Sequence, residues 1–443
     1  MSKICVLGLG YIGLPTASML ASAGHEVVGC DINAAIVASI NSGKSHFDEP
    51  DLEMLLAAAI KTERLRAQST PSEADYFIIA VPTPFMDGKR PDMQFVEASA
   101  RSIAPLLRPG DTIILESTSP VGTTERIAAM LAGARPDLHF PRHTDETSPP
   151  GHVRLAHCPE RILPGNMVRE LVTNDRVIGG MTEACAEAAA KLYATFVRGD
   201  VFLTDCRTAE FVKLVENSYR DVNIAFANEL SLIADRLDID IWHAIELANK
   251  HPRVSILSPG PGVGGHCIAV DPWFVVDSAP DESRLIRTAR EINDGKARYV
   301  FERIAKSMHR LRNPVVACYG LTYKPDVDDT RESPALEIVQ HLAEKTDARL
   351  LVCEPNLEAL PPGLAATGRV ELCDIDAARI AADIVVFLVA HRQFRKINPN
   401  QFLSKIVIDT VGLMHSPQRF AAGMTPSRPA RMADEAILKG TQT

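Results

Sequence analysis

Ile4-Cys5-Val6-Leu7-Gly8-Leu9-Gly10-Tyr11-Ile12-Gly13 is a short apolar run that ends in a G-x-G-x-x-G turn. Alone, that turn is a weak signal. Here an apolar, small-residue helix is expected next, from about Leu14 to Ala23, stopped by Gly24. A second strand, Glu26-Val27-Val28-Gly29-Cys30, then delivers Asp31 at its carboxyl end. Strand, glycine turn, helix, strand and terminal acid together predict a dinucleotide-binding unit of doubly wound α/β type. Gly8 makes the tight turn, Gly10 lets a pyrophosphate approach the helix N-terminus, and Gly13 lets helix and strand pack. Asp31 can accept from ribose hydroxyls and would repel a 2′-phosphate. With no Arg in Asp31-Ile32-Asn33, the expected cofactor is NAD rather than NADP.

Outward from this unit the α/β alternation continues. Tyr76 to Val81 runs into Pro82-Thr83-Pro84, and Thr112 to Leu115 runs into Glu116-Ser117-Thr118. Both place hydroxyls at a strand carboxyl end, where ligands of such sheets bind. Leu155-Ala156-His157-Cys158-Pro159-Glu160-Arg161 repeats the layout, and Ala134 to His152 reads as a surface loop. A second α/β unit follows near the end, with strands expected at Val315–Tyr319, Leu350–Cys353, Ile384–Val389 and Ile406–Asp409. Its first crossover is a charged stretch from Tyr323 to Pro334, in which Lys324 and Arg331 are candidate phosphate clamps. The tail beyond His415 shows little periodicity.

Between the two units no Gly or Pro interrupts an apolar pattern from about Thr208 to Leu237. This predicts one helix of ~45 Å at 1.5 Å per residue. Glu210, Lys213, Asn217 and Arg220 fall on one of its faces, at i, i+3, i+7 and i+10. After it comes His251-Pro252-Arg253, then Gly260-Pro261-Gly262-Val263-Gly264-Gly265-His266-Cys267, with Asp271 four residues further on. Glycine permits close backbone approach and positive φ. A thiol presented by such a loop is a candidate nucleophile.

The whole is an α/β chain with two Rossmann-like doubly wound domains joined by a long central helix and a small helical domain. The boundaries expected are 1–205, 206–303 and 304–443. At 443 residues it is too long for one core. With 46% hydrophobic and 23% charged residues it has ordinary globular composition, and a net charge of -9 gives no basic surface for nucleic acid. No apolar run reaches membrane-spanning length. Met1-Ser2-Lys3 passes straight into a strand, so no signal peptide is expected. Nine cysteines without a C-x-x-C suit reduced thiols in the cytoplasm, with neither a disulfide framework nor a metal site.

Residues Gly8–Thr16, Val81–Pro84, Glu116–Gly122, Cys158–Arg161, Lys213–Arg220 and Gly260–Pro272 resemble, in order, the UDP-glucose/GDP-mannose dehydrogenase superfamily. Arg220–Glu229 and His266–Trp273 resemble the branch that oxidises UDP-N-acetyl-D-mannosamine. The resemblance implies a four-electron oxidation at C6 to the uronate, using two NAD in turn, for surface polysaccharide synthesis. Cys267 would carry a thiohemiacetal and then a thioester. Lys213 and Asn217 would steady the oxyanions, Glu160 and Thr118 would activate water, and Asp271 would assist proton transfer. It implies NAD contacts at Tyr11, Ile12, Asp31, Thr83, Thr118 and Arg331. Nucleotide-sugar contacts would come from Arg161, Ile162, Lys213, Asn217, Arg220, His251, Arg253, Gly264, Tyr323 and Lys324, some of them across a homodimer built on the long helix. One departure stands out: Val411 occupies a place where the family pattern carries a basic residue. The alternatives are a sibling acting on UDP-N-acetyl-D-glucosamine or UDP-glucose, a two-electron dehydrogenase in which Cys267 is structural, and a noncatalytic NAD-binding scaffold.

Overall fold

The computed structural model describes residues 1–142, 149–162, 165–265 and 267–415. The tail beyond His415, residues 143–148 of the expected surface loop and His266 lie outside the described residues. The first sheet has eight strands in the order β3-β2-β1-β4-β5-β6-β7-β8. These are β1 Lys3–Leu7, β2 Glu26–Cys30, β3 Leu65–Gln68, β4 Tyr76–Ile79, β5 Thr112–Leu115, β6 Arg154–His157, β7 Arg176–Gly180 and β8 Val201–Asp205. All neighbours are parallel except β6 and β7. The second sheet is wholly parallel, in the order β11-β10-β9-β12-β13. It is made of β9 Val315–Tyr319, β10 Arg349–Cys353, β11 Val370–Leu372, β12 Ile384–Phe387 and β13 Ile406–Asp409.

Strand side chains alternate between two cores, as a sheet covered on both faces requires. Ile4 and Val6 pack on one side of the first sheet, and Cys5 and Leu7 on the other. In the second sheet Val316 and Cys318 are separated in the same way from Ala317 and Tyr319. Four strands escaped the sequence reading for identifiable reasons. The β8 strand is an edge whose Phe202 and Leu203 are exposed, and β11 is three residues long at the other sheet's edge. The outermost strand β3 alternates buried and exposed residues over only four positions. Finally, β7 ends in glycines, because a Cβ at Gly179 would lie 2.4 Å from the Asp205 carbonyl oxygen and one at Gly180 2.2 Å from that of Thr182.

The long helix spans Cys206–Leu237, with Asp205 capping its start by accepting from Thr208 N at 2.9 Å. Its faces invert the usual rule. Glu210, Lys213, Asp221 and Asn228 are buried, while Phe211, Val215, Tyr219, Phe226, Ile233 and Leu237 are exposed. Three of these buried groups, Glu210, Asp221 and Asn228, bond to neighbouring elements. The Glu210 carboxylate accepts from Gly122 N at 2.6 Å, Thr124 N at 2.8 Å and Thr124 Oγ1 at 2.7 Å, at the start of helix Thr123–Ala134. Asp221 pairs with Arg290 of a second long helix, Arg284–Met308, at 2.6 Å, and both side chains are buried. Asn293 donates to Asp221 and accepts from Asn228, each at 2.8 Å. Asn228 in turn accepts from Gly260 N at 2.8 Å. That hydrogen-bonded chain ends at the first residue of the glycine loop.

Candidate active site

The glycines around Cys267 are explained by packing. A Cβ at Gly262 would meet the Pro334 ring at 2.9 Å, one at Gly264 the Glu332 carbonyl oxygen at 2.2 Å, and one at Gly265 the Tyr323 ring at 2.8 Å. Gly265 also has φ +87°. The close approach expected from the sequence is therefore to the Tyr323–Pro334 crossover of the second α/β unit. This presses the thiol loop onto the far wall of the cleft.

From that loop the chain turns directly into helix Asp271–Ser278, with Asp271 N donating to the Cys267 carbonyl at 2.8 Å. Asp271 is buried and accepts from Asn217 Nδ2 of the long helix. Burial pushes its carboxyl up to about 6, against the pull of Lys213 and the Asn217 hydrogen bond. Cys267 is exposed as a residue, while its thiol is closely surrounded by protein. Burial, with Asp271 adding repulsion, pushes it up to about 11, while Lys213 and Arg331 act in the opposite sense. Cys267, Asp271, Lys213 and Asn217 thus form one electrostatic unit, drawn from a loop, a helix start and the long helix. At neutral pH its sulfur rests as the thiol, so bond formation at sulfur requires a proton acceptor close by.

On the first unit's side, Gly8 has φ +88° and a Cβ there would sit 2.6 Å from the Ala80 carbonyl oxygen. A Cβ at Gly13 would fall 1.8 Å from the Gly8 carbonyl oxygen, whereas Gly10 faces open space. The half-buried Asp31 accepts from Leu9 N at 3.0 Å and Asn33 N at 2.9 Å, which fixes its carboxylate beside the glycine turn. Open room at Gly10 beside an anchored carboxylate fits a dinucleotide. Ile12 leads into helix Gly13–Ser22. Tyr11 stacks on Phe47 at 4.3 Å, and the Arg331 guanidinium sits 5.1 Å over the Tyr11 ring while paired with Asp329. Thr83 and Thr118 are half-buried in neighbouring loops, joined where Ser117 Oγ donates to the Val81 carbonyl at 2.7 Å.

Other expected site residues are held differently. Both Glu160 oxygens are taken, one by Arg161 N at 2.6 Å and the other by the buried Arg176 at 2.9 Å. Each oxygen accepts one of these bonds and keeps a further lone pair, so the carboxylate is oriented without being saturated. Arg161 is paired with Glu216 of the long helix at 2.6 Å, and Ile162 packs against the first core. Lys324 is half-buried. Burial lowers its ammonium pKa, with Glu49 and Asp329 opposing and Arg220 reinforcing the shift, so Arg220 and Lys324 share one neighbourhood. His251 and Arg253 are exposed on the turn after helix Ile241–Ala248, where Arg253 N donates to His251 Nδ1 at 3.3 Å. The structure does not join them to the Cys267 cluster within one chain. Val411 is partly buried and packs against one of the second unit's two cores.

Sequence reasoning missed Arg176 and His157. His157 is fully buried, and burial, reinforced by Lys213, pushes its imidazole down to about 3. Its place at the end of β6, two residues before Pro159-Glu160, was the available signal.

Three family models match the chain: the UDP-glucose/GDP-mannose dehydrogenase NAD binding domain at residues 2–197, central domain at 207–295 and UDP binding domain at 317–416. The chain is 56% identical to the NDP-N-acetyl-D-galactosaminuronic acid dehydrogenase of Ralstonia nicotianae, over 95% of this chain and 97% of that protein. It is 52% identical to the UDP-N-acetyl-D-mannosamine dehydrogenase of Campylobacter jejuni, over 91% and 98%. Among solved structures, the UDP-N-acetyl-mannosamine dehydrogenase of Staphylococcus aureus matches with a TM-score of 0.81 at 40% identity, covering 94% of this chain and 96% of that one. The chain belongs to the UDP-glucose/GDP-mannose dehydrogenase family.

Proposed function

We propose that this protein oxidises C6 of UDP-N-acetyl-D-mannosamine to the carboxylate in two NAD-dependent steps through a covalent bond to Cys267. The observation that carries this reading is the convergence of Lys213, Asn217 and Asp271 on one thiol. The protein is an NAD-dependent nucleotide-sugar dehydrogenase. Bound NAD supplies the hydride acceptor at each oxidation. The residues that hold it are the Gly8–Gly13 turn, Asp31, Tyr11, Thr83, Thr118 and, from the second unit, Arg331. The nucleotide sugar is held opposite, by Arg161, Ile162, Arg220, Gly264, Tyr323 and Lys324.

The protein's own groups handle charge and protons. As the C6 alcohol becomes an aldehyde, its hydroxyl proton passes towards Lys213. The thiol then adds across the aldehyde: a sulfur–carbon bond forms, and the thiol proton leaves through Asp271 as a proton reaches the carbonyl oxygen. Asn217 and Lys213 donate to that oxygen in each tetrahedral species. Loss of the second hydride to NAD, with the hydroxyl proton passing to Lys213, leaves a thioester, and water splits it into acid and thiol. Glu160, oriented by Arg176 and by Arg161 N, takes the proton of the hydrolytic water, with Thr118 assisting from the first unit.

A second sugar has support of its own. The Ralstonia relative acts, by its name, on an N-acetyl-D-galactosamine derivative and has the higher identity of the two relatives. UDP-N-acetyl-D-galactosamine is therefore the main competitor. The exposed apolar stripe Phe211–Leu237, extended by Phe202 and Leu203 at the β8 edge, is the proposed homodimer face. Across it His251 and Arg253 would complete the partner's cleft. Among the described residues no helix is long and apolar enough to cross a membrane, and the proposed location is the cytoplasm.

NADH released per molecule of sugar is expected to be two with UDP-N-acetyl-D-mannosamine, with the galactosamine, glucosamine and glucose sugars slower. One NADH contradicts the thioester route, and a faster galactosamine sugar replaces the substrate. Sedimentation of F226E/I233E should give a monomer from a dimeric parent; a monomeric parent or a dimeric variant contradicts the interface. Alkylation of Cys267 by iodoacetamide at pH 8 is expected to slow severalfold in Lys213→Met, because removing a cation raises the thiol pKa. It should quicken in Asp271→Asn, which removes an anion. Equal rates in all three proteins contradict the coupling.

A further inference from the structure

The second sheet repeats the geometry of the first at its glycine turn. Gly8 N donates to the Cys30 carbonyl and Gly320 N to that of Cys353, both at 2.8 Å. Gly320 has φ +99° where Gly8 has +88°. The strand orders correspond as well, β3-β2-β1-β4-β5 against β11-β10-β9-β12-β13. Glu354, directly after β10, therefore stands where Asp31 stands after β2. It makes the matching bond, accepting from Leu321 N at 2.7 Å where Asp31 accepts from Leu9 N at 3.0 Å.

The two acids then part company. Asp31 is half-exposed, whereas Glu354 is buried and its cavity is filled by the imidazole of His391, which is fully buried. His391 Nε2 lies 3.0 Å from Glu354 Oε2, while Glu354 Oε1 accepts from Asn356 N at 3.0 Å. On the other side of the ring, Nδ1 receives Asp326 N at 2.9 Å. A backbone N–H can only donate, so Nδ1 is the acceptor and Nε2 carries the proton given to Glu354. Asp326 is in the left-handed region with φ +61° and accepts from Arg392 N at 3.1 Å. Between these anchors, Thr322 Oγ1 donates to the Lys324 carbonyl at 3.0 Å. The loop Leu321–Asp326 is thus gripped at its start by Glu354 and at its end by His391. It carries Tyr323, whose ring backs Gly265 of the thiol loop, and Lys324.

We propose that His391 is a positioning residue for nucleotide-sugar binding: bonded to Glu354, it pins Asp326 and thereby holds Tyr323 and Lys324 at the cleft. The carboxylate that would hold a ribose in a dinucleotide site is used here as a structural anchor. This inference rests on the reading of Tyr323 and Lys324 as substrate groups. It gives the second sheet a role other than binding a second NAD.

Two substitutions separate the two sides of the ring, Nε2 facing Glu354 Oε2 and, at 3.4 Å, Thr322 Oγ1, and Nδ1 facing Asp326 N and, at 3.0 Å, Asn356 Nδ2. Gln can place its amide nitrogen near Nε2 and keep the bond to Glu354, but it offers nothing at Nδ1. Asn can place its oxygen near Nδ1 and keep the Asp326 bond. His391→Gln is expected to raise KM for the UDP-sugar about tenfold, the scale of one well-placed hydrogen bond lost from the bound state. The kcat and the NAD dissociation constant, measured by fluorescence titration, should stay within about twofold. His391→Asn should retain most of the substrate affinity. Amide exchange over 321–326 should quicken in His391→Gln and less so in His391→Asn. An unchanged KM in His391→Gln, or equal losses of kcat, NAD affinity and substrate affinity in both variants, overturns the proposal. Lys324→Ala is measured beside them. If it raises KM while His391→Gln does not, only the positioning role fails. If it leaves KM unchanged, the substrate reading of the loop fails, and a rise in His391→Gln then has another origin.

Discussion

One helix carries five polar side chains, Glu210, Lys213, Asn217, Asp221 and Asn228, inward against its neighbours, and the rest of the structure answers them. A charge taken out of water must be paired or hydrogen-bonded, and breaking such a buried pair costs on the order of 3–5 kcal/mol. The partners of this face are therefore the parts of the protein that had to be brought together. Glu210 collects the start of helix Thr123–Ala134 from the first unit. Asp221 collects Arg290 and Asn293 from the second long helix, and Asn228 fixes the first residue of the thiol loop. Asn217 collects Asp271 at that loop's far end. Six large apolar side chains of the same helix, Phe211, Val215, Tyr219, Phe226, Ile233 and Leu237, are left outward, which is unlike a helix in a monomeric core.

The same constraint sets the chemistry. Lys213 and Asp271 are near Cys267 because both belong to the buried polar surface between the long helix and the loop. Burial favours the neutral form of both acids, the Asp271 carboxyl at about 6 and the Cys267 thiol at about 11. A resting thiol is protected from adventitious oxidation and alkylation, which act on the thiolate. Its activation depends on how charge is redistributed when the cleft fills.

Much of the fold was legible in the sequence because parallel strands buried on both faces read as continuous apolar runs. Every strand of that kind was found, while the edge strands β3, β8 and β11 and the glycine-ended β7 were not. The shared face of Glu210, Lys213 and Asn217 was also legible from spacing. Its burial was not, since the period of a helix says which residues share a face and not which face meets water. Arg176 and His391 were invisible for another reason. Their partners Glu160 and Glu354 are 16 and 37 residues away in sequence, and only tertiary contact joins them. Glu354 could have been found by extending the strand-then-acid reading of Asp31 to the second unit.

Covalent capture of the aldehyde at Cys267 is the central claim. Its most direct measurement supplies the C6 aldehyde of the UDP-sugar, with NAD, to the Cys267→Ala variant and follows NADH and acid. The parent should convert the aldehyde to acid with one NADH each. The variant should bind NAD with unchanged affinity and form neither. Acid produced by the variant at the parent's rate would mean that the hydrated aldehyde is oxidised directly and that the thiol carries no intermediate.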